Sequence, residues 1–272
     1  MKQLLSIAVA LCIGVGSFAQ GFGSRMADVD LDFELGNSPF SVAPVSYIYF
    51  GFNGITNCND ATLNQIMGFF QSQHFGINIA ELAVSPFEGG RVSLGADFSV
   101  NWFNINKDYL WCPSIYPVKP GRESWGNNGM FVSYLSKDRA SIKEVKRSVL
   151  SVCTFEIPVT FSYSYGPFTA ALGASLDINL NGCVQFKGID TGGNKINEMF
   201  SGKRYSNRIG VNRLTFNVHA ALSYGGLGLY FKYSPVPKFY EGVVGTDEEA
   251  EVVQCGPQFQ IWSVGLVLGL GM

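Results

Sequence analysis

His74 and His219 are the two imidazoles of the chain, so any histidine acting as acid or base must be one of them. His219 stands four residues before Ser223, and Glu156 could supply a carboxylate, which together make the parts of a serine–histidine–acid arrangement. No Gly-x-Ser-x-Gly nucleophile turn accompanies them, and a hydrogen-bonded structural histidine is the more ordinary role. No catalytic residue is expected. Asp28, Asp30 and Asp32 alternate as calcium ligands do, but an EF-hand loop needs glycine at its sixth position and glutamate at its twelfth. Phe33 and Pro39 stand there instead. With no Cys-x-x-Cys and no cysteine–histidine cluster, a zinc site is not expected either, and neither is a cofactor.

The cysteines carry a different chemistry. In an oxidising compartment, loop cysteines pair. Cys58, Cys112, Cys183 and Cys255 fall in or beside the long connections described below and are the candidate disulfide cysteines; four residues allow three pairings. Cys153 lies within a strand pattern and is expected to be free.

The remaining chemistry is charge on one face of a strand. Over 91–105, Val92, Leu94, Ala96, Phe98, Val100 and Trp102 alternate with Ser93, Gly95, Asp97, Ser99 and Asn101. Segments 168–181 and 213–224 repeat the pattern, the first with Asp177 and Asn179 on its polar face, the second with Arg213, Asn217 and His219. A period of two places each set on its own side of a strand. Segments 45–54, 74–85, 149–164, 227–234 and 259–271 follow the same pattern less perfectly, giving eight strands. Asp97, Glu156, Asp177, Arg213, His219 and Lys232 are expected to face inward and pair as a structural charge network, because unpaired buried charge is costly.

The links between these strands run about 19, 5, 43, 3, 31, 2 and 24 residues, long and short in turn. The short ones carry turn residues: Gly89-Gly90, Gly166-Pro167 and Gly225-Gly226. This rhythm predicts an all-β fold, an eight-stranded antiparallel up-and-down transmembrane β-barrel with short periplasmic turns and long extracellular loops. Composition agrees: 47% of the residues are hydrophobic and 15% charged, where a soluble domain has about 25% charged. A net charge of −2 offers no footprint for nucleic acid. Residues 1–19 have a basic start, a short apolar core and Ser17-Phe18-Ala19, the pattern of a secretory signal peptide. Residues 20–44 are expected to form an N-terminal periplasmic extension and 45–272 the outer-membrane barrel; 28–35 alternates like a strand and belongs either to that extension or to the lower part of a first strand broken near Pro39 and Pro44. Both termini then face the periplasm.

Several runs resemble a known family. These are His74-Phe-Gly-Ile-Asn-Ile-Ala-Glu-Leu82 with Gly89-Gly90 and the stretch 93–97, then Glu156-Ile-Pro-Val159, then Gly228-Leu-Tyr-Phe-Lys-Tyr-Ser-Pro235, and the closing strand after Gly256-Pro257. Over roughly 45–270 the chain resembles the Bacteroidetes-type, PorT-like outer-membrane β-barrel proteins. The resemblance implies a barrel in the cell outer membrane and no particular activity. The expected role is structural or interactive, with long surface loops displayed from a side-chain-filled lumen; a narrow channel or transporter for small solutes is the alternative. Expected partners are outer-membrane lipid, lipopolysaccharide and envelope proteins. Five basic against two acidic residues in 137–147 could meet lipopolysaccharide phosphates, although a solvated loop end is the simpler reading. The acidic run 247–251 is expected to be solvated.

Overall fold

The computed structural model describes residues 40–44, 46–58, 61–113, 132–138, 140–201, 211–239 and 259–269. The chain divides into Met1–Ser38 and Pro39–Met272, and all the described residues belong to the second unit. The expected signal segment 1–19, the alternating segment 28–35, the acidic run 247–251, Cys255 and the Cys112 side chain lie outside the described residues.

The described chain is all-β and antiparallel but for one short helix, α1 (Ala61–Ile66), and a 3-10 turn at Phe69–Gln71. Its strands are β1 (Phe40–Pro44), β2 (Ile48–Thr56), β3 (Gln73–Phe87), β4 (Gly90–Asn104), β5 (Tyr109–Pro113) and β6 (Val132–Ser136). There follow β7 (Ile142–Tyr165), β8 (Phe168–Asp190), β9 (Lys195–Ser201), β10 (Leu214–Tyr224), β11 (Leu227–Ser234) and β12 (Gln260–Leu268). Among the described residues the pairing order runs β3-β2-β12-β11-β10-β8-β7-β4, and β4 pairs again with β3. The order therefore returns to its start. Closure matters because a sheet without an edge leaves no row of backbone donors and acceptors unpaired.

The tight turns β3–β4, β7–β8 and β10–β11 stand at one end of these strands. Each carries glycine in the left-handed region, at Gly89, Gly166 and Gly225-Gly226, where a side chain would be strained. The strand ends that lead into the four long links stand at the other end.

Three boundaries differ from those the alternation predicts. The sheet begins at Phe40 instead of 45, since β1 pairs with β3 from Phe40↔Val84 to Pro44↔Ala80. β1 continues the line of β2, interrupted where Pro44 has no N–H to donate. Next, β7 and β8 extend to 24 and 23 residues, taking in 142–148 and 182–190, which were expected in loops. Finally, β5 and β6 form a hairpin within the expected loop 106–147, and β9 adds to β8. The reason is a change of sense along β7. Val159, Phe161 and Tyr163 point outward and are exposed, whereas at the other end Lys143, Glu144, Lys146 and Arg147 are exposed and Ile142, Val145 and Leu150 are buried. Register shifts near Ile142/Glu144, Val145/Arg147 and Cys153/Thr154 break the period, so a search for one unbroken alternation stops short.

Candidate functional site

The inner face of the closed sheet is polar. Asn53, His74, Asn78, Asp97, Ser99, Asn101, Thr154, Glu156, Asp177, Asn217, Lys232 and Ser263 are all buried there. Strand alternation puts them there, and closure brings them within reach of one another. Lys232 on β11 meets Glu156 on β7, Nζ to Oε2 at 2.5 Å. Glu156 also accepts from Ser99 Oγ and, at 3.4 Å, from the Tyr49 hydroxyl. Lys238 lies 3.4 Å from Asp177 and donates to Thr154 Oγ1; Asp177 accepts further from Ser175 and Asn217. Asp97 accepts from Asn78 Nδ2 at 2.7 Å and from the Tyr47 hydroxyl at 3.0 Å. Glu156, Asp177 and Asp97 thus each have at least two donors, which is the condition under which buried charge is tolerable.

Little space remains between these groups. The cavity lined by His74, Asn101, Asn217, Lys232, Lys238 and Ser263 measures about 10 Å³, room for about one water molecule. His74 Nδ1 lies 2.9 Å from the Tyr230 hydroxyl, and its Nε2 has no hydrogen-bond partner among the described residues.

Five of the six residues expected in the charge network line this interior: Asp97, Glu156, Asp177, His219 and Lys232. His219 sets Nε2 at 2.9 Å from Thr160 Oγ1 and lies over Gly173, where a Cβ would come within 2.5 Å of the ring. Ser223 is four residues further along β10, about 13 Å in an extended strand, so the serine–histidine pair is not assembled. Arg213 is a correction. It is exposed, because β10 begins at Leu214 and the inward phase has no strand to hold it at 213. Two other cations join Lys232 on the inner side: Arg91 of β4, 3.3 Å from Glu81, and Lys238, which follows Pro235-Val-Pro237 and turns back over the sheet. The signal of Lys238 in the sequence is weak, since it lies beyond the strand pattern.

Among the candidate disulfide cysteines, Cys183 is a free thiol, as is Cys153. Both lie on the outer side of the sheet, at one level: Ser151 faces Cys183, and Cys153 faces Asn181.

Above the polar layer the interior turns apolar. Leu63 and Ile66 of α1 pack with Phe103, Ile105, Trp111, Leu150, Val152, Val184, Phe239, Phe259 and Ile261. The Trp111 indole donates to the Phe103 carbonyl at 2.9 Å, leaving that core satisfied. A smaller cluster of Leu110, Ile142, Val145 and Phe186 lies beneath the β5–β6 hairpin. At the long-link end, Lys137 donates to Asp108 at 2.8 Å, a bond that raises the lysine pKa. Asp190 accepts from the Asn194 side chain and backbone, which lowers its pKa.

The outer face is the reverse of the inner one. Phe50, Leu82, Leu94, Val159, Leu172, Leu176, Leu222, Leu229 and Leu266 are exposed. Phe87, Tyr163, Tyr165, Phe168 and Tyr224 edge this band at the tight-turn end. At the other edge Phe52, Phe69, Phe70 and Trp262 cluster, with Phe69 stacked on Trp262 at 4.9 Å. Gly90, opposite Tyr163, and Trp102 mark the two edges on β4. Twelve residues at about 3.3 Å each, tilted by about 40°, separate them by about 30 Å.

No protein-family model matches the sequence, and no curated protein matches it. Among solved structures, the chain is similar to Ail, the attachment invasion locus protein of Yersinia pestis, at 9% identity and a TM-score of 0.30, over 84% of this chain and 96% of that one. A mutant Rh. blastica porin is similar at 10% identity and a TM-score of 0.13, over 84% and 99%. Similarity of this degree assigns neither family nor activity.

Proposed function

We propose that the chain is an integral outer-membrane protein, an eight-stranded barrel that holds a folded, water-exposed cap above a filled lumen and acts through that surface. One observation carries the reading: the sheet is inside out. Leu172, Leu222 and Leu229 are exposed by 60% or more while Asn53, Asp177 and Ser99 are fully buried. In water that arrangement forfeits the hydrophobic contribution. In a bilayer the outward band is satisfied by lipid, and the closed pairing leaves no backbone group unmet. The aromatic edges, about 30 Å apart, match the girdles of such barrels. The tight turns then face the periplasm, and the long links with the cap face outward.

A structural or interaction role is favoured over a narrow channel by the packing of the interior, where paired side chains leave room for about one water and an apolar core covers one end. Carbonate washing of membranes tests residence: the protein should stay with the membrane pellet, and release into the soluble fraction would refute it. A planar-bilayer recording tests the role, with no steady conductance expected; stepwise single-channel currents would favour the channel.

A further inference from the structure

We propose, resting on the membrane reading above, that the outer face of the extended β7–β8–β9 sheet binds the phosphate groups of lipopolysaccharide in the outer leaflet. Arg147 and Lys187 are directly opposite one another in the β7–β8 register, and Lys187 is opposite Asn197 on β9. Phe186 next to Lys187 is buried in the cluster beneath the β5–β6 hairpin, so Lys187 and its cross-strand partner project outward. Like charges directly opposite each other on a sheet repel. Lys143, Lys146 and Lys195 add exposed cations, and none of these five groups makes an ion pair among the described residues. Glu144 is the acid among them, while Glu198 is opposite the inward Phe186 and belongs to the other face. A repelling pair left uncompensated on a folded sheet suits an anion that bridges it, and two cations at directly opposed register positions match a phosphate or a pair of them.

Height selects the source. Ser151 and Cys183 share the register row of Trp102, at the edge of the apolar band. Arg147 and Lys187 stand four residues beyond that row, about 13 Å along the strand and about 10 Å along the membrane normal. A phospholipid headgroup layer reaches only about 5–8 Å beyond the hydrocarbon. Lipopolysaccharide carries anionic groups on its saccharide as well as on its lipid, and so reaches this level.

The test uses the full chain folded into phosphatidylcholine vesicles, with lipopolysaccharide or, at equal added charge, phosphatidylglycerol included, and reads the temperature at which the compact gel band is lost. A ligand of the folded state raises that temperature. The wild-type protein should melt several degrees higher with lipopolysaccharide, and by less with phosphatidylglycerol. Arg147→Gln with Lys187→Gln should lose at least half of the lipopolysaccharide shift, while Lys107→Gln, an exposed cation off the patch, keeps it. A double variant with the full shift overturns the site. An equal shift with phosphatidylglycerol overturns the choice of lipopolysaccharide. Failure of the wild-type chain to give a compact band in any vesicle breaks the barrel reading itself, a result distinct from both.

Discussion

Glu156 and Leu150 lie on the same strand and the same inner face, six residues apart, yet one is held by Lys232 and the other by Phe103, Trp111 and Phe259. The outer face at the two levels differs in the opposite sense. Beside Glu156 it carries Ile157 and Val159, and beyond Leu150 it carries Lys146 and Arg147. A strand faces two environments, and the solvent on the outside decides which chemistry the inside can use. On the membrane reading proposed above, lipid covers the apolar residues and the interior must satisfy its polar ones internally. Where water covers the charged residues, the interior assembles by the hydrophobic effect as in any soluble domain. The aromatic row at Phe52 and Trp102 marks the change.

The widest separation between the two regions should come from breaking the interior ion pair. Lys232→Ala strands Glu156 in the polar layer, and removal of one partner of a buried pair costs about 3–5 kcal/mol. The compact gel band of this variant should be lost at clearly lower temperature or urea concentration than that of the wild type. Leu150→Ala acts on the upper region, where a buried leucine replaced by alanine costs about 2–5 kcal/mol. That loss should be local: limited proteolysis should cut the long-link end faster while the compact band persists. If both variants unfolded the chain in one transition of the same shape, the two regions would be a single cooperative unit and the contrast would lose its meaning.

The outer face sharpens the comparison further. Leu176 is about midway between Phe168 and Cys183 on β8 and points outward. Leu176→Arg should destabilise by about 2–4 kcal/mol in a bilayer, as read from the urea midpoint in vesicles. Since Arg213 is exposed and makes no ion pair among the described residues, Arg213→Ala should change stability by less than about 0.5 kcal/mol in the same assay.

These contrasts also explain what could be read before the structure. Strands β4, β8 and β10 announce themselves because apolar residues outside and polar groups inside give each residue one of two clear identities. Asp97, Glu156, Asp177 and Lys232 follow from that alternation. Arg213 has the same parity but sits one residue before its strand, and parity alone does not say where a strand begins. Lys238 reaches the interior from a turn, a tertiary placement that no period describes. The outer ends of β7 and β8 were hidden because the register slips and the sense of the alternation reverses. Lys146 and Arg147 then look like a solvated loop, and Val145 and Leu150 look unrelated to the strand below.

The most direct measurement of the central claim is the solvent at each level of the outer face. Single cysteines placed at Leu94, Leu176 and Leu266, and at Lys146 and Asn197, in a chain otherwise free of cysteine, can carry spin labels after reconstitution into vesicles. Relaxation by oxygen, which concentrates in lipid, is then compared with relaxation by a water-soluble nickel chelate. The first three positions should be reached by oxygen and shielded from nickel, and the last two should be reached by nickel. Equal access of nickel to Leu176 and Lys146 would contradict the account.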